Sequence, residues 1–460
     1  MIIARPYQER AIKAIRAAFA NGFKAPLLVM PTGAGKTACF SLIAESAARR
    51  LRRVLILVHR IELVDQVVAA LEQVGVAPDV IAAQCARKKI NRVVTVASVQ
   101  TLLRRLTDYV EPTLIILDEG HHCAQGNSWD QVFRAYPHAK KLGVTATPLR
   151  LDGRGLAHSF DHLIVGPSTQ ELIDMGYLAP PRVFAPPTVD TSGLHKRAGE
   201  FRLEETNALM DVPTIHGDAL SHYRKHVDGK RALVFCTSVE HAHHIAEHFR
   251  KGGYQAAALC GGTDRQVRRM VVDDFRDGKI QVLSSCDLFS EGFDCPGAEV
   301  GIMLRPTASL GLWLQQCGRI LRPAPGKKHA TILDHVGNCI RHGLPNEPRE
   351  WELTSDVIKK KKSVAQNRIC TSCWCANPPG AKVCLDCGVP FPIAERDPIE
   401  EREGELEEVT AQEMARKRER QDQGRARSLA DLEKIERMKG YRPGWARHIL
   451  AARISKSDRR

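Results

Sequence analysis

Short apolar runs alternate with amphipathic segments along most of the chain, and this alternation predicts two α/β units in tandem. Such runs are typical of strands buried on both faces of a parallel sheet, and the helical segments between them supply the crossovers. The predicted strands of the first unit cover 26–29, 54–60, 93–96 and 114–117, with another before Thr147, and its helices cover 9–19, 38–50 and 61–73. In the second unit the strands cover 231–236, 255–259 and 280–284, and the helices cover 239–251 and 264–276.

Changes in composition divide the 460 residues into five segments. A chain of this length exceeds one hydrophobic core, and the stretch between the two α/β units is rich in proline, glycine and polar residues. The predicted divisions are 1–150 for lobe 1, 151–211 for a linker with peripheral elements, 212–345 for lobe 2, 366–392 for a zinc ribbon and 393–460 for a charged tail with short helices. In the tail, Ser428 and Asp431 predict a capped helix that ends at Gly440.

The net charge of +14 and the pI near 9.2 indicate a polyanionic partner. Nucleic acid is the first candidate and a membrane surface the second. No run of 18 apolar residues and no N-terminal apolar leader occurs in the sequence, so we predict a cytoplasmic protein without a membrane partner. Fourteen cysteines in so long a chain are too few for a secreted disulfide scaffold, which favours a reducing compartment.

The segment from Pro31 to Thr37 predicts a phosphate-binding loop, because a glycine turn there joins an apolar strand to a helix. Lys36 is placed to reach phosphate oxygens and Thr37 to bind Mg²⁺, while Gly33 and Gly35 allow close approach of the backbone. The spacing departs from G-x-x-x-x-G-K-[ST] because Met30 occupies the first glycine position. The residues predicted to contact ATP are Arg5, Gln8, Pro31, Thr32, Gly33, Ala34, Gly35, Lys36, Thr37, Gly292 and Asp294.

Two carboxylates follow the buried run 114–117 directly. Asp118 is predicted to hold Mg²⁺ and Glu119 to polarise the attacking water, the positioning roles that phosphoryl transfer requires. His121 and His122 are alternative metal ligands, although the order of strand and acidic pair favours a coupling role for His121. Ahead of the loop, Gln8 can present a donor and an acceptor to an adenine edge.

A second set of candidates lies on a predicted helix of the second unit. Arg319 and Arg322 are three residues apart and should share one helical face, where guanidinium groups can neutralise a transferring phosphoryl group. The predicted catalytic residues are Lys36, Asp118, Glu119, Gln315, Arg319 and Arg322.

Four cysteines predict a structural Zn²⁺ site. Cys370, Cys373, Cys384 and Cys387 form C-x2-C-x10-C-x2-C, and four thiolates complete a tetrahedral shell. Cys375 is predicted to be a spectator, and a redox role for the set is the alternative. The run His241, His243, His244 and His248 is a further candidate, and His244 and His248 lie one turn apart on one face. No carboxylate completes a helix motif such as H-E-x-x-H, so we interpret the run as a solvated helix face.

Six ordered segments resemble the successive motifs of superfamily 2 helicases of the DExH (DEAH-box) type. They are RPYQ from Arg5, PTGAGKT from Pro31, DEGH from Asp118, TATP from Thr145, EGFD from Glu291 and QQCGRILR from Gln315. The ribbon after the second lobe makes the chain similar to bacterial RadD-type proteins. This resemblance implies two RecA-like lobes with ATP between them and nucleic acid across the top, Arg5 and Gln8 at the adenine, and Arg319 and Arg322 as arginine fingers. Gly120 departs from the alanine or cysteine that is commoner in the family.

The function predicted from these features is that of an ATP-dependent DNA helicase or translocase in DNA repair, recombination or replication-fork processing. Its cofactors would be ATP, Mg²⁺ and Zn²⁺. DNA is favoured over RNA and would be bound independently of sequence, with repair or single-strand-binding proteins as further partners. An RNA helicase, the motor subunit of a restriction system and a non-catalytic nucleic-acid clamp are the alternatives. No nuclease motif is visible in these residues, which weighs against the restriction motor, and the retained catalytic set weighs against the clamp.

Overall fold

A computed structural model describes residues 2–59, 61–83, 91–106, 109–150, 155–185, 193–197, 199–286, 297–354, 367–392, 428–439, 444–447 and 449. Its contacts divide the chain into two compact units, Met1–Pro392 and Ile393–Arg460. The predicted fold class is confirmed, because the first unit contains two parallel-sheet α/β lobes and a four-cysteine module, and the second contains a helix.

The first lobe is built on a parallel sheet with the strand order β3-β4-β2-β5-β6-β1-β7. Its strands are β1 Pro26–Val29, β2 Val54–Val58, β3 Asp79–Ile81, β4 Val94–Ser98, β5 Leu114–Asp118, β6 Lys140–Thr145 and β7 His162–Val165. Its helices are α1 Pro6–Ala20, α2 Lys36–Ala48, α3 Ile61–Gln73, α4 Val99–Leu103, α5 Ser128–Ala135 and α6 Thr169–Asp174. Alternate residues enter opposite hydrophobic layers: Leu28 and Ile56 join one cluster, while Leu27 and Leu55 join the other. Burial on both faces explains the continuous apolar runs.

The second lobe repeats this arrangement with the strand order β12-β13-β11-β14-β15-β8. Its strands are β8 Pro181–Phe184, β11 Ala232–Phe235, β12 Ala256–Leu259, β13 Val282–Ser285, β14 Val300–Met303 and β15 Ala330–Asp334, and a hairpin adds β9 Lys196–Arg197 and β10 Glu200–Phe201. Its helices are α7 Leu203–Met210, α8 Pro213–Val227, α9 Val239–Lys251, α10 Arg265–Arg276, α11 Leu310–Ile320 and α12 Asn338–His342.

Two stretches of chain connect the lobes. The segment 151–211, predicted as a linker with peripheral elements, supplies one edge strand to each sheet, because β7 pairs with β1 and β8 pairs with β15. After the second lobe the chain returns to the first, where Leu353 O accepts hydrogen bonds from Leu156 N (3.0 Å) and Ala157 N (3.1 Å). The chain therefore connects the two lobes twice, through the segment 151–211 and again through the residues that follow the second lobe.

The four-cysteine module packs on the second lobe. Its strands β16 Arg368–Ile369 and β17 Ala376–Asn377 pair antiparallel, and Cys375 forms an antiparallel bridge to Phe184 at the end of β8. Arg182 of the same strand makes an ion pair with Asp386. The module thus contacts the edge strand of the second sheet.

In the second unit, the helix Leu429–Lys439 begins at a reciprocal cap, with Asp431 N donating to Ser428 Oγ (3.2 Å) and Ser428 N donating to Asp431 Oδ2 (3.0 Å). The cap matches the sequence prediction, and Gly440, where the helix is predicted to end, lies outside the described residues. Among the described residues, no helix is both long enough and apolar enough to span a lipid bilayer.

Candidate active site

The predicted phosphate loop joins β1 to α2. Gly35 is the N-cap residue of α2 and adopts φ 77°, a left-handed conformation, and a Cβ there would lie 2.5 Å from Gln8 Nε2. No side chain caps the first turn of α2, so its backbone N–H groups can bind the oxygens of a phosphate. The loop therefore fits a nucleotide.

Lys36 is buried at the start of α2, and its Nζ donates to Met30 O at 3.3 Å. Burial lowers the pKa of Lys36, while Glu119 and Asp118 act in the opposite direction. Arg319 and Arg322 lower the Lys36 pKa further, which places both arginines within electrostatic reach of this amine. A buried cation near two carboxylates and two guanidinium groups suits a triphosphate with its metal ion.

The two carboxylates stand at the carboxyl end of β5. Burial, together with the neighbouring Glu119, raises the pKa of Asp118 to about 6, and Lys36 opposes this shift. Glu119 adopts φ 55° and ψ 54°, a left-handed conformation that is uncommon outside glycine. This conformation turns the chain sharply after the strand. Backbone strain of this kind is concentrated at functional sites.

A chain of short contacts runs from Glu119 towards the second lobe. His121 Nδ1 lies 3.4 Å from Glu119 Oε2 and 3.0 Å from Thr145 Oγ1. The Thr145 hydroxyl donates to Thr147 O at 2.8 Å, so its oxygen accepts from His121. A Cβ on Gly311 of α11 would lie 3.0 Å from Thr147 Oγ1. The contacts therefore connect the acidic pair to the helix that carries the arginines.

The phosphate loop also touches the second lobe directly. A Cβ on Gly318 would lie 2.4 Å from Thr32 Cβ, and one on Gly33 would lie 3.6 Å from Arg322 Cγ. Arg319 is buried in α11, but that helix ends at Ile320, so Arg322 lies just beyond it rather than on its face. The physical reason is the next residue, a proline, which disfavours helical geometry at the position before it.

Lys327 holds the end of α11 in place, a role that sequence reasoning did not identify. Its Nζ donates to Ala298 O (2.6 Å), to Arg322 O (2.9 Å) and to Ile320 O. Burial lowers the pKa of Lys327 to about 8. The sequence does show a lysine shortly after the predicted helix, where a cation can interact with the last carbonyl groups. Which carbonyl groups it binds is apparent only in the fold.

The residues predicted to read adenine lie beside the phosphate loop. Gln8 is buried, and its Nε2 donates to Ala34 O at 3.0 Å while its Oε1 accepts from Arg5 N at 2.9 Å. Tyr7 also donates to Ala34 O, at 2.9 Å. The Arg5 guanidinium lies 4.5 Å from the ring centre of Tyr177, an aromatic neighbour that the sequence motifs did not single out. Adenine recognition by Arg5 and Gln8 stays a prediction.

The other predicted residues have different placements. Gln315 is buried in α11, and Thr37 is the second residue of α2. Gly292 and Asp294 lie outside the described residues. At the carboxyl edge of the first sheet, Ser98 Oγ donates to Thr101 Oγ1 at 2.8 Å.

Gly120, the departure from the family pattern, has a steric explanation. A Cβ at this position would lie 3.1 Å from Leu27 Cδ1, 3.3 Å from Gly143 Cα and 3.3 Å from Phe160 Cζ. These distances are shorter than ordinary van der Waals contacts. These three neighbours would therefore have to move by a few tenths of an ångström to admit an alanine or cysteine side chain.

The four cysteines meet in one cluster, with all four Sγ atoms within 4.8 Å of one another. The Sγ atoms of Cys370 and Cys387 are 3.6 Å apart, as are those of Cys373 and Cys384. A tetrahedral zinc site with Zn–S bonds of about 2.3 Å has sulfur separations of about 3.8 Å. Cys375 is not part of the cluster. The donor set fits a closed Zn²⁺ site.

Comparisons with known proteins agree with this geometry. Residues 1–150 match the family model of the type III restriction enzyme res subunit, and residues 215–324 match that of the helicase conserved C-terminal domain. A protein of a Lactococcus phage (isolate 7-9), named the 51.5 kDa protein, is 35% identical over 384 residues, which cover 83% of this chain and 81% of that protein.

Two further relatives are more informative by name. The putative ATP-dependent helicase IRC3 of Saccharomyces cerevisiae is 30% identical over 380 residues, covering 78% of this chain and 55% of the yeast protein. The chain therefore spans about half the length of that relative. Among solved structures, a fragment of a putative HsdR subunit of a type I restriction enzyme from Vibrio vulnificus has a TM-score of 0.60 at 22% identity, covering 76% of this chain and 68% of that one. The latter likeness concerns the fold.

Proposed function

Because this chain belongs to the superfamily 2 helicases and is accordingly a nucleic-acid-dependent ATPase, we propose that it is a motor on DNA. The proposed activity is ATP-driven translocation or strand separation on DNA without sequence preference. In the proposed biological role, the motor acts in DNA repair, recombination or replication-fork processing, as the resemblance to RadD-type proteins implies. The proposed compartment is the cytoplasm.

The observation that carries the proposal is the contact between the phosphate loop and the second lobe at Thr32 and Gly318. It brings the loop with Lys36 and the arginines of the other lobe to one cleft. ATP supplies the phosphoanhydride bond whose hydrolysis drives the motor. The first turn of α2 and Lys36 would bind its phosphates, and Thr37 with Asp118 would hold Mg²⁺.

The remaining roles follow from charge and position. Glu119 would orient the attacking water, and Arg319 and Arg322 would neutralise charge that develops on the transferred group. Since Thr147 contacts the start of α11, a change at Glu119 can reach the second lobe through His121 and Thr145. The chemical step and the relative position of the lobes are thereby coupled.

DNA as the partner is supported by the net charge of +14. Contacts with phosphates do not depend on base sequence, and they weaken with added salt because binding releases cations that are condensed on the DNA. The binding constant for duplex DNA, obtained from the DNA concentration that gives half-maximal stimulation of the ATPase, should therefore fall steeply with salt. In log–log form its slope should be about −0.9 for each phosphate that is neutralised. A salt-independent stimulation would contradict this mode of binding.

Zn²⁺ in the four-cysteine module is the remaining cofactor. The module contacts the edge strand of the second sheet through Cys375 and Arg182, so the metal would stabilise a surface of the motor. Purified wild-type chain should contain zinc that Cys384→Ser loses. The control Cys260→Ser, outside the cluster, should retain it.

A second candidate is the motor of a restriction system, favoured by the description of the family model over residues 1–150. A restriction motor would have the same ATPase site as the proposed repair motor and would differ from it in its partner subunits. An RNA helicase is the third, and it would share the same cleft. Nucleic-acid preference and the effect of partner subunits distinguish these candidates.

The experiment that tests the proposal is ATP hydrolysis measured with single-stranded DNA, duplex DNA and single-stranded RNA. Wild type should be stimulated by DNA, and Lys36→Ala should lose hydrolysis with every polymer. Lys13→Ala provides the matched control, because Lys13 is exposed on α1 and its removal should leave the rate unchanged. Stimulation by RNA alone would refute the DNA motor, and absence of hydrolysis under all conditions would refute the motor itself.

A further inference from the structure

Three side chains from separate elements of the second lobe converge on one point. Asp211 follows α7, His216 lies on α8, and His241 lies in the first turn of α9. A carboxylate oxygen and one nitrogen from each ring all lie within 4.8 Å of one another. In the sequence, no carboxylate completes a zinc-binding helix motif such as H-E-x-x-H with the histidines of α9, but the fold brings one from 30 residues away.

Hydrogen bonding within the group explains only part of the arrangement. Asp211 Oδ1 lies 3.0 Å from His216 Nε2 and 2.9 Å from His244 Nδ1. His241 Nε2, by contrast, is buried and has no hydrogen-bond partner among the described residues. The whole residue is 0% exposed, and a buried polar atom left in this state is costly.

The other nitrogen of His241 determines which form of the ring is present. Its Nδ1 lies 2.9 Å from Thr237 Oγ1, and that hydroxyl donates its own hydrogen to Asn207 Oδ1 at 2.8 Å. In the tautomer that carries hydrogen on Nδ1, the hydroxyl oxygen accepts from Nδ1–H and Nε2 keeps a lone pair. The contact that would need the other tautomer, from Thr237 N to Nδ1, is longer, at 3.4 Å. A histidine that donates from one nitrogen to a fixed oxygen and presents a lone pair on the other is oriented as a metal ligand.

We propose that Asp211, His216 and His241 form a metal site for Zn²⁺ or a similar first-row transition ion, separate from the cysteine cluster and from the ATPase cleft. Two imidazoles and a carboxylate are donors that zinc accepts, and a water molecule completes four-coordination. Bonds of about 2.0–2.1 Å in a tetrahedron place ligand atoms about 3.3 Å apart. The 3.0 Å between Asp211 and His216 is close to that separation.

The metal would join the corner between α7 and α8 to the start of α9. Thr237 follows β11 closely, and its carbonyl oxygen accepts a hydrogen bond from Cys286 Sγ at 3.3 Å. Cys286 comes directly after β13. The site would thus stabilise the carboxyl edge of the second sheet beside Cys286.

The test uses the full chain, stripped of metal with a chelator and reloaded with Zn²⁺. His243 is exposed on the same helix, so His243→Gln is the matched control. Wild type and this control should bind one more equivalent of zinc per chain than Asp211→Asn or His241→Gln. Equal zinc content in all four proteins would refute the site, whatever the occupancy of the cysteine cluster.

Titration of the wild type with Co²⁺ tests the site without any ligand substitution. A nitrogen and oxygen site should add visible d–d bands without the sulfur-to-metal charge-transfer absorption that a four-thiolate site produces. Thr237→Val should weaken binding at this site by roughly 10–100-fold, and Thr237→Ser should restore it, because the hydroxyl only positions the ring. A cobalt spectrum with thiolate character alone would overturn the proposal.

Discussion

Replacing Asp118 by asparagine removes a charge that the folded protein holds unfavourably. The carboxylate is 7% exposed at the end of β5, and burial followed by the neighbouring Glu119 raises its pKa from 3.8 to about 6. At pH 7 the carboxylate is ionised in both the folded and the unfolded chain, so the folded state is destabilised by the full free energy that corresponds to the raised pKa. We expect Asp118→Asn to abolish ATP hydrolysis and to stabilise the nucleotide-free protein.

The size of the effect follows from the pKa. Each pKa unit corresponds to about 1.4 kcal/mol, so a rise from 3.8 to about 6 limits the gain in the free energy of unfolding to about 3 kcal/mol at pH 7. Domains of this size shift their melting temperature by about 2–4 °C per kcal/mol, which gives an increase of several degrees. Because the folded pKa is raised, the cost is fully present above about pH 6 and disappears below about pH 4.

The assay is thermal unfolding of wild type and variant at pH 7 and pH 4, with and without Mg²⁺ and ADP. The variant should melt at a higher temperature at pH 7, and the two curves should converge at pH 4. Asp174→Asn is the control, since Asp174 is exposed and its carboxylate accepts a hydrogen bond from Gln170 Nε2 at 2.8 Å. Magnesium with ADP should raise the melting temperature of the wild type more than that of the variant.

Two results would refute this reasoning. If Asp118→Asn melts below the wild type at pH 7, the carboxylate is a net stabiliser and its pKa is not raised in the folded protein. If the difference between the two proteins is the same at both pH values, ionisation of Asp118 is not its cause.

Two further changes test how the lobes meet. Gly318→Ala places a Cβ 2.4 Å from Thr32 Cβ, so we expect the turnover rate to fall by roughly 10²-fold. The control Gly217→Ala, which has open space around it, should leave the turnover rate unchanged. Equal rates in the two variants would show that the contact between Gly318 and Thr32 is not used in catalysis. Lys327→Met removes the amine that binds Arg322 O and two other carbonyls, and it should lower kcat with little change in KM for ATP, while an unchanged kcat would show that Lys327 does not position the arginine.

The local features of this protein were readable from the sequence. Continuous apolar runs predicted strands buried on both faces, and β1, β2 and β5 lie where those runs are, because alternate side chains enter two hydrophobic layers. The reciprocal cap at Ser428 and the four-cysteine cluster were equally accessible, since each depends on residues close together in the chain. The chemistry of the phosphate loop could likewise be predicted from motif spacing, because the residues of that loop are close together in the chain.

Contacts between distant segments were decided by the tertiary structure. The meeting of Thr32 with Gly318, the binding of Lys327 to the end of α11 and the approach of Asp211 to His241 join residues that no periodicity relates. These contacts depend on sheet order and on the packing of helices against each sheet, which emerge only when the whole chain is folded. The sequence by itself therefore determined which elements form and which chemical groups they carry, and the tertiary structure decided which of those groups face one another.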